Sequence, residues 1–291
     1  MTQSTIHRFI TSDGSARLIF ADTTAIVRRA AEIHSPSSTA IAALGRTLTA
    51  ASIMGSLMKN PTDTLTLRIK GDGPVGTITA VSDYSGNVRG YVDNPDADVP
   101  PRPDGKLAVG DLVGEGTLYV IRDLGGREPY VGMCELVSGE IAEDVTRYLL
   151  ESDQVPSACA LGVLVDTDLS IRSAGGFIVQ LMPGAPEEYI DRLEDNIFLM
   201  DALTTILSED GAEAVFAQVL KGFEFHQVGE VPVGYRCYCS RERVQEAISC
   251  IDASDLEDMI RENRVTEVSC QFCDASYRFT PEDLQAILER K

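Results

Sequence analysis

The chain has 291 residues, 44% of them hydrophobic, and a formal net charge of -20 at pH 7. This length and hydrophobic content predict a globular protein with one large domain and room for a small one. The acidic balance argues against a nucleic-acid binder, because such proteins neutralise phosphates with Lys and Arg. No window of about 18 uninterrupted apolar residues occurs, so the sequence does not support a membrane span.

The first predicted elements are a strand pair and a helix. Residues 5–10 and 16–20 flank Asp13-Gly14, a dipeptide that supplies the positive φ of a tight hairpin turn. Apolar residues then recur at helical spacing over residues 23–34, and Pro36 ends that run. We therefore expect a β-hairpin followed by a helix.

A second helix is predicted from Ser37 or Ser38 to about Lys59, and it is apolar almost all round. A helix of this kind is buried in a core or spans a membrane. Arg46 near its middle would cost about 3 kcal/mol in a bilayer. The sequence therefore predicts a central core helix.

A glycine-rich segment at residues 71–76 matches the dinucleotide-binding pattern G-x-G-x-x-G. That fingerprint requires a helix directly after the glycines, so that its amino end can face the pyrophosphate. Residues 77–81 instead have a strand pattern, and Pro74 removes a backbone donor that a phosphate would need. A connection between two strands is favoured over a nucleotide site.

The rest of the first half predicts an antiparallel sheet with packed helices. Further strands are predicted at residues 88–92, 116–121, 130–134 and 173–181. A helix begins near Ser138, with Glu140, Glu143 and Asp144 in its first turn, where the helix dipole favours negative charge. The whole pattern is that of an α+β domain over residues 1–182.

An acidic linker is predicted over residues 183–231. Between Leu181 and Val231 there are eleven Asp and Glu residues, against only Arg192 and Lys221. One amphipathic helix carries an apolar stripe of Ile190, Leu193, Ile197, Met200, Leu203 and Leu207, and a shorter helix follows near Phe216. A helix with one apolar stripe depends on a packing neighbour for most of its stability, so we expect the linker to be metastable.

The last predicted domain, residues 232–291, contains four of the seven cysteines in two close pairs. These are Cys237, Cys239, Cys270 and Cys273. Two short helices are predicted at residues 241–251 and 254–263, and Thr280 caps a third, with Pro281 at its first position and Asp283 completing a capping box. A domain this small, with so few apolar groups, needs an additional stabilising link such as a bound metal ion.

The paired cysteines predict one structural zinc ion bound by four thiolates. Each pair can supply one edge of a tetrahedron, and two edges complete the site. Cysteines that merely fill a core have no reason to occur in pairs. A disulfide framework is disfavoured because residues 1–4 do not begin an export leader, and thiols of the cytoplasm, the compartment we infer, are kept reduced.

The same thiolates are open to oxidation. Oxidants attack the thiolate form and convert it through sulfenic acid to a disulfide. Because each cysteine has a partner one or two residues away, oxidation is expected to give the disulfides Cys237–Cys239 and Cys270–Cys273. These would release the zinc and unfold the domain, whose stability depends on the metal.

The sequence also resembles the redox-regulated heat-shock protein 33 chaperones of bacterial cytoplasm and organelles, over nearly its whole length. The resemblance lies first in the two cysteine pairs at this separation. Their flanks, and five motifs of the core domain, carry the rest: Ser240-Arg241-Glu242-Arg243-Val244, Tyr277-Arg278-Phe279, Gly45-Arg46, Gly71-Asp72-Gly73-Pro74, Val88-Arg89-Gly90-Tyr91-Val92, Ser152-Asp153-Gln154-Val155-Pro156-Ser157 and Gly175-Gly176-Phe177. Asp153 departs from the family, which usually has Glu there, and we expect this change to be silent.

The resemblance implies a zinc-bound, reduced form that is inactive and an oxidised form in which terminal domain and linker unfold. The active form would be a homodimeric holdase, not an enzyme, that binds unfolding client proteins without ATP. By position, the zinc ligands and redox thiols are Cys237, Cys239, Cys270 and Cys273. The apolar stripe of the linker is the candidate client-binding surface, because it would be exposed once its neighbour melts.

The other titratable residues are expected to have structural roles. Cys134 and Cys159 lie in strand-like or small-residue runs, and Cys250 follows a predicted helix face, so all three are predicted to be core residues. The three histidines, His7, His34 and His226, are scattered and predict no metal or catalytic site. The carboxylates show no spacing that singles out an acid and a base.

Two other function classes remain as alternatives. A zinc-ribbon interaction protein would bind the same metal without redox switching, although the acidic linker argues against it. A zinc deaminase would need H-x-E with P-C-x-x-C, and neither motif occurs. A thioredoxin-like enzyme would carry its C-x-x-C near a βαβ unit, whereas this one lies near the end of the chain.

Overall fold

The computed structural model of the protein describes residues 3–291. The expectation that residues 1–4 do not begin an export leader rests partly on Met1 and Thr2, which lie outside the described residues. The chain divides into two compact units, a first unit that ends at Arg236 and a second unit, Cys237–Lys291.

In chain order, the elements of the first unit are β1 (Ser4–Thr11), β2 (Ala16–Asp22), α1 (Thr24–His34), α2 (Ser38–Gly55), β3 (Thr64–Gly71), β4 (Thr77–Asp83), β5 (Val88–Val92), α3 (Val109–Val113), β6 (Gly116–Asp123), β7 (Tyr130–Glu135), α4 (Ala142–Glu151), β8 (Ser157–Val165), β9 (Ile171–Leu181), α5 (Glu187–Phe198), α6 (Leu203–Glu209), α7 (Ala212–Val219) and β10 (Phe225–Val233). The second unit contains α8 (Arg241–Ser249), α9 (Ala253–Arg261), β11 (Thr266–Ser269), β12 (Ser276–Phe279) and α10 (Pro281–Leu288).

Two five-stranded antiparallel sheets form the first unit, with strand orders β10-β1-β2-β9-β8 and β5-β4-β3-β6-β7. The predicted hairpin of β1 and β2 is confirmed, and Gly14 has the positive φ of 75° that its turn requires. The glycine-rich residues 71–76 join β3 to the antiparallel β4, with Lys70 opposite Thr77. The interpretation as a strand connection is therefore confirmed.

Helix α2 is the buried centre of the first unit and packs against strands of both sheets. Its N-cap is Ser37, whose hydroxyl accepts a hydrogen bond from the backbone N–H of Ala40 at 3.1 Å. The helix ends at Gly55, a turn before the predicted end near Lys59. Arg46 forms an ion pair with Glu140, so the one cation in the helix is neutralised within the fold.

Helix α4 begins at Ala142 and not near Ser138 as predicted. Glu140 precedes the helix, and its carboxylate accepts a hydrogen bond from the backbone N–H of Gly110 at 3.2 Å in addition to the pair with Arg46. The Asp144 carboxylate instead accepts hydrogen bonds from backbone N–H groups of the residues before the helix, including the Ile141 N–H at 2.8 Å. The acidic run therefore serves two different sites.

The single long helix predicted in the linker is wrong, because the chain breaks it into α5 and α6 at residues 199–202. The apolar stripe keeps helical spacing across the break, so periodicity could not reveal it. The break lets both helices press their apolar faces on the sheet of β1, β2 and β9. The exposed Phe198 and Leu199 mark the point where the chain turns.

The end of the predicted linker also differs from the structure. Residues 225–233 form β10, an edge strand paired antiparallel with β1 from Ser4 opposite Val233 to Thr11 opposite Phe225. Most of its side chains are exposed, and it contains Pro232, which is tolerated only at an edge or irregular position of a sheet. Its alternation of apolar residues is weak and is interrupted by Gln227 and Gly229, so the sequence pattern did not predict a strand.

The linker helices share one hydrophobic cluster, here called the linker core, with the first sheet. Its buried members are Phe9, Ala16, Leu18, Phe20, Phe177, Val179, Leu193, Leu203, Ile206, Leu207, Val215, Val219 and Leu220. Phe216 of α7 packs on Phe9 of β1 with ring centroids 4.4 Å apart. The buried apolar side chains of α5, α6 and α7 thus share one core with the sheet.

Candidate metal centre

The second unit places its cysteine pairs in two different local structures. Cys237 and Cys239 lie directly before α8, in an irregular segment. Cys270 and Cys273 lie in the turn between β11 and β12, where Cys270 N–H donates to the Ala275 carbonyl at 3.0 Å. Because β11 and β12 are short and paired, the C-x-x-C turn is held as the tip of a hairpin.

Helix α8 fixes the first pair through its N-terminus. The Ser240 hydroxyl caps the helix by accepting a hydrogen bond from Arg243 N–H at 3.3 Å. The Arg243 guanidinium donates to the Tyr238 carbonyl at 2.9 Å, between the two cysteines. The direction of the C-x-C segment is therefore set by the first turn of the helix.

Arg241 joins the segment of the first pair to the hairpin of the second. Its guanidinium forms an ion pair with Asp283 of α10 at 2.8 Å and lies 4.4 Å from the centroid of the Phe279 ring. It also donates to the Arg278 carbonyl. The capping box of Thr280 and Asp283 predicted from the sequence is confirmed, so Asp283 serves the helix and Arg241 together.

The four predicted ligand atoms converge. The Sγ atoms of Cys237, Cys239, Cys270 and Cys273 all lie within 4.8 Å of one another. The Cys237 and Cys270 sulfurs are 3.7 Å apart, and the Cys239 and Cys273 sulfurs are 3.4 Å apart. Four sulfurs at about 2.3 Å from a zinc ion form a tetrahedron with edges of about 3.8 Å. The residues present therefore fit one four-thiolate zinc ion.

Tyr277 is a neighbour of the centre that the sequence did not single out. Its hydroxyl donates a hydrogen bond to Cys239 Sγ at 3.1 Å. Burial acts to raise the pKa of Cys239, but hydrogen bonds from Tyr277 and the other thiols outweigh it and the pKa is lowered. The same bond raises the pKa of Tyr277 to about 12. Tyr277 is in one of the motifs that carried the family resemblance, which was the only available signal.

The pKa values of two other thiols are raised. Burial is the main cause for both Cys237 and Cys273. Bound zinc would reverse this preference, because a coordinating thiol is deprotonated outright. The thiols are thus arranged as a group that a divalent cation completes.

The remaining cysteines lie away from the centre, and all seven are free. Cys134 is buried on β7, as predicted, and burial raises its pKa to about 11. Cys159 is in β8, where burial raises its pKa strongly. The prediction that Cys250 is a core residue is wrong: it is the exposed C-cap residue directly after α8, and its thiol contacts the Glu246 carbonyl at 3.5 Å.

The candidate client-binding stripe is largely covered in this structure. Leu193, Leu203 and Leu207 are buried in the linker core, and Ile197 and Met200 pack against it. Ile190 is 41% exposed. The six side chains therefore share the linker core but offer little apolar surface while α5 and α6 are folded.

The core of the second unit is small. Its buried members are Ile248, Leu256, Phe279, Leu284 and Ile287. Five buried side chains are few for an independent domain, which usually needs a metal, a disulfide or a partner at this size. A zinc ion bound by the four sulfurs would provide this additional stabilisation.

Comparison with known proteins assigns the chain to a family. The profile of the family described as Hsp33 protein matches residues 4–280. The 33 kDa chaperonin of Desulforamulus reducens is 45% identical over 289 residues, covering 99% of this chain and 98% of that protein. The 33 kDa chaperonin of Clostridioides difficile is 48% identical over 284 residues, covering 97% of each.

A solved structure agrees with this assignment. The crystal structure of the 33 kDa chaperonin (heat shock protein 33 homolog) of Thermotoga maritima superimposes with a TM-score of 0.92 at 33% identity, covering 99% of both chains. The chain belongs to the Hsp33 family, and the α+β fold predicted from the pattern of strands and helices is confirmed. Within residues 3–291, no helix combines the length and apolar character that crossing a membrane requires.

Proposed function

We propose that this protein is a redox-regulated, ATP-independent holdase whose reduced, zinc-bound form is inactive. It acts by binding unfolded or partly folded client proteins and not by catalysis. The observation that carries the proposal is the convergence of the four sulfurs to distances that a tetrahedral zinc ion requires. Zinc held by thiolates couples the folding of the second unit to the oxidation state of its ligands.

Oxidation would convert the four thiolates to two disulfides. Peroxide takes two electrons from each pair of thiols, and each disulfide formed is matched by one peroxide reduced to two molecules of water. The sulfurs of Cys237 and Cys270 lie 3.7 Å apart and those of Cys239 and Cys273 3.4 Å apart, but these pairs meet only while the unit is folded. Cys237 with Cys239 and Cys270 with Cys273 stay adjacent in an unfolding chain, so we assign the disulfides to these pairs.

Loss of zinc would unfold the second unit and lower the barrier to release of the linker. The helices α5, α6 and α7 carry most of the acidic charge of residues 181–231 and depend on the linker core for their burial. Their release would expose the stripe that contains Leu193, Leu203 and Leu207. It would also uncover the sheet face of Phe9, Phe20 and Phe177, which gives two complementary apolar surfaces for clients.

The oxidised form is proposed to be a homodimer, since apolar surface exposed on a folded sheet favours association with a second copy. The reduced form requires a compartment that keeps thiols reduced, which places it in the cytoplasm. Client binding needs no nucleotide in this scheme. The connection at residues 71–76 joins two strands and offers no helix N-terminus for phosphates.

The test combines zinc release with client protection. We expect peroxide at mild heat to release one zinc per chain, measured with a chelating dye, and the oxidised protein to suppress light scattering by a thermally unfolding client. The Cys250→Ser variant is the matched control, because Cys250 is an exposed cysteine of the same unit outside the centre. It should behave as wild type, whereas Cys270→Ser should bind no zinc.

A constitutive zinc-binding interaction protein is the outcome that would overturn the proposal. In that case the zinc stays bound under peroxide, or the reduced and oxidised forms suppress scattering equally. Reducing agent added to the oxidised form should return both zinc binding and the inactive state.

A further inference from the structure

The first unit contains a cavity of about 350 Å³ that is lined from both of its sheets. A volume in this range suits a small molecule or the end of a peptide. Arg17 of β2 and Gln180 of β9 reach it from one sheet, and Arg122 of β6 from the other. The motif of residues 152–157, which the redox function leaves unused, contributes Asp153 and Val155.

Much of the cavity wall is apolar. The side chains are Met54, Leu57, Met58, Leu124, Leu149 and Val155. Met54 and Leu149 are buried, and Leu124 is 55% exposed at the rim. An apolar wall with a few convergent polar groups is the usual form of a site for a small ligand.

Two cations of the cavity have no acidic partner. Arg17 and Lys59 form no ion pair within residues 3–291, and the Arg17 Nε–H donates only to Gln180 Oε1, at 2.9 Å. Gln180 is 2% exposed and also donates to Ser157 Oγ at 3.0 Å, so it holds Arg17 in place. Burial lowers the pKa of Arg17, because the guanidinium is partly removed from water without a counter-ion.

The acidic groups of the cavity are already engaged. Asp153 binds Arg122 through both oxygens, at 3.1 and 2.6 Å. Asp63 is buried and accepts hydrogen bonds from the backbone and side chain of Asn60. Arg17 is therefore a partly buried cation without an acidic partner among residues 3–291, and the exposed Lys59 lines the same cavity, so an anionic ligand would supply the counter-ion that both lack.

We propose that this cavity binds a small carboxylate that carries an apolar tail. Arg17 and Lys59 bind the carboxylate, and the tail lies on the wall formed by Met54, Leu57 and Met58. The ligand is either the C-terminal residue of a peptide or a free short-chain acid, since both present the same chemistry. The site uses no cysteine and lies in the first unit, so it does not depend on the proposed redox function.

Titration calorimetry on the full, reduced, zinc-loaded chain tests the site. The probes are hexanoate and N-acetyl-leucyl-leucine as free acid, each compared with its amide. We expect both acids to bind, and both amides to bind at least about tenfold more weakly. The reason is that loss of a hydrogen bond to a charged group lowers the binding affinity about tenfold. The tighter of the two acids identifies the source of the natural ligand.

Two variants and one matched control locate the binding. Arg17→Gln and Lys59→Gln should each weaken acid binding about tenfold, while Lys106→Gln, which removes an exposed lysine that does not line the cavity, should leave it unchanged. Lys59 is exposed, so its variant decides the matter even if Arg17→Gln fails to fold. Absence of acid binding, equal binding of acid and amide, or wild-type affinity in Lys59→Gln overturns the proposal.

Discussion

At the scale of single residues, the seven cysteines fall into three environments. Four converge at the candidate centre, Cys134 and Cys159 are held in the sheets of the first unit, and Cys250 is exposed at the end of α8. Reactivity of a thiol follows its thiolate fraction and its access to solvent. The three environments therefore predict three different responses to an alkylating reagent.

Cys250 should be alkylated rapidly at pH 8 in the reduced, zinc-bound protein, and Cys134 should not. With a pKa of about 11, only about one Cys134 thiol in a thousand is a thiolate at pH 8. Its labelling rate should rise about tenfold per pH unit below that pKa, as long as the fold is intact. Mass spectrometry of iodoacetamide-treated protein measures this, and rapid labelling of Cys134 at pH 8 would contradict the structure.

Tyr277→Phe should weaken zinc binding while leaving all four ligands in place. The change removes the O–H···S hydrogen bond to Cys239, and loss of such a partner to a ligand typically costs about 10- to 100-fold in metal affinity. Competition with a chelator of known affinity measures the effect. Tyr130→Phe, at an exposed tyrosine of the first unit, is the control. Equal affinities in the two variants would show that the hydrogen bond does not support the metal.

At the scale of elements, the caps of the second unit are individually important because its core is so small. Thr280→Ala removes the N-cap of α10 and should destabilise the unit by about 1 kcal/mol. Hydrogen exchange of the second unit in the zinc-bound variant and wild type, recorded over a range of temperatures, measures the change in stability. Ser254→Ala removes an exposed hydroxyl in the first turn of α9 and serves as control. A larger effect at Ser254 would contradict the assigned cap.

Leu207→Ala should loosen α6 and partly activate the reduced protein. Leu207 is 8% exposed and lies in the linker core. Its side chain packs over Gly175, where any larger residue would clash, because a Cβ added at Gly175 would lie 2.9 Å from Leu207 Cδ2. Truncation of a buried leucine costs about 2–5 kcal/mol. We expect faster amide exchange in α6 and client holding without oxidant. Ile190→Ala, at the 41% exposed end of the stripe, should change little.

Elements with strong local signals were predictable from the sequence, and those that depend on distant partners were not. Helix α2 has an apolar surface all round, and α10 has a cap, a proline and a capping-box acid in sequence. Strand β10 has only weak apolar alternation, and it is held in the sheet by pairing with β1, more than 200 residues earlier. The break between α5 and α6 likewise follows from the sheet beneath it.

The candidate centre shows the same division. Cys237, Cys239, Cys270 and Cys273 were predictable because ligand spacing is a local property of the sequence. Tyr277 donates a hydrogen bond to Cys239, and Arg241 forms an ion pair with Asp283. Each contact joins residues that are far apart in sequence, so no local sequence pattern predicts it. Cys250 was misplaced because helical spacing alone did not show that α8 ends at Ser249.

At the scale of the whole molecule, the two units differ in what stabilises them. The first unit has an extensive hydrophobic core around α2, whereas the second has five buried apolar side chains. Removal of zinc by a chelator under reducing conditions should therefore unfold Cys237–Lys291 and leave the sheets of the first unit intact. Hydrogen exchange should rise throughout α8, α9 and α10 while α2 stays protected. Retained protection in α8 without metal would contradict this difference.

The pairing of β10 with β1 would constrain the linker in the released form proposed above. The segment between β9 and β10 is anchored at both ends to one sheet, so its melted form is a closed loop and not a free tail. A closed loop has less conformational entropy to gain on melting than a tail of equal length. It would also keep its apolar side chains at high effective concentration next to the sheet face against which they now pack. Recapture of a released linker would therefore be an intramolecular event, independent of protein concentration, with which any bound client would have to compete.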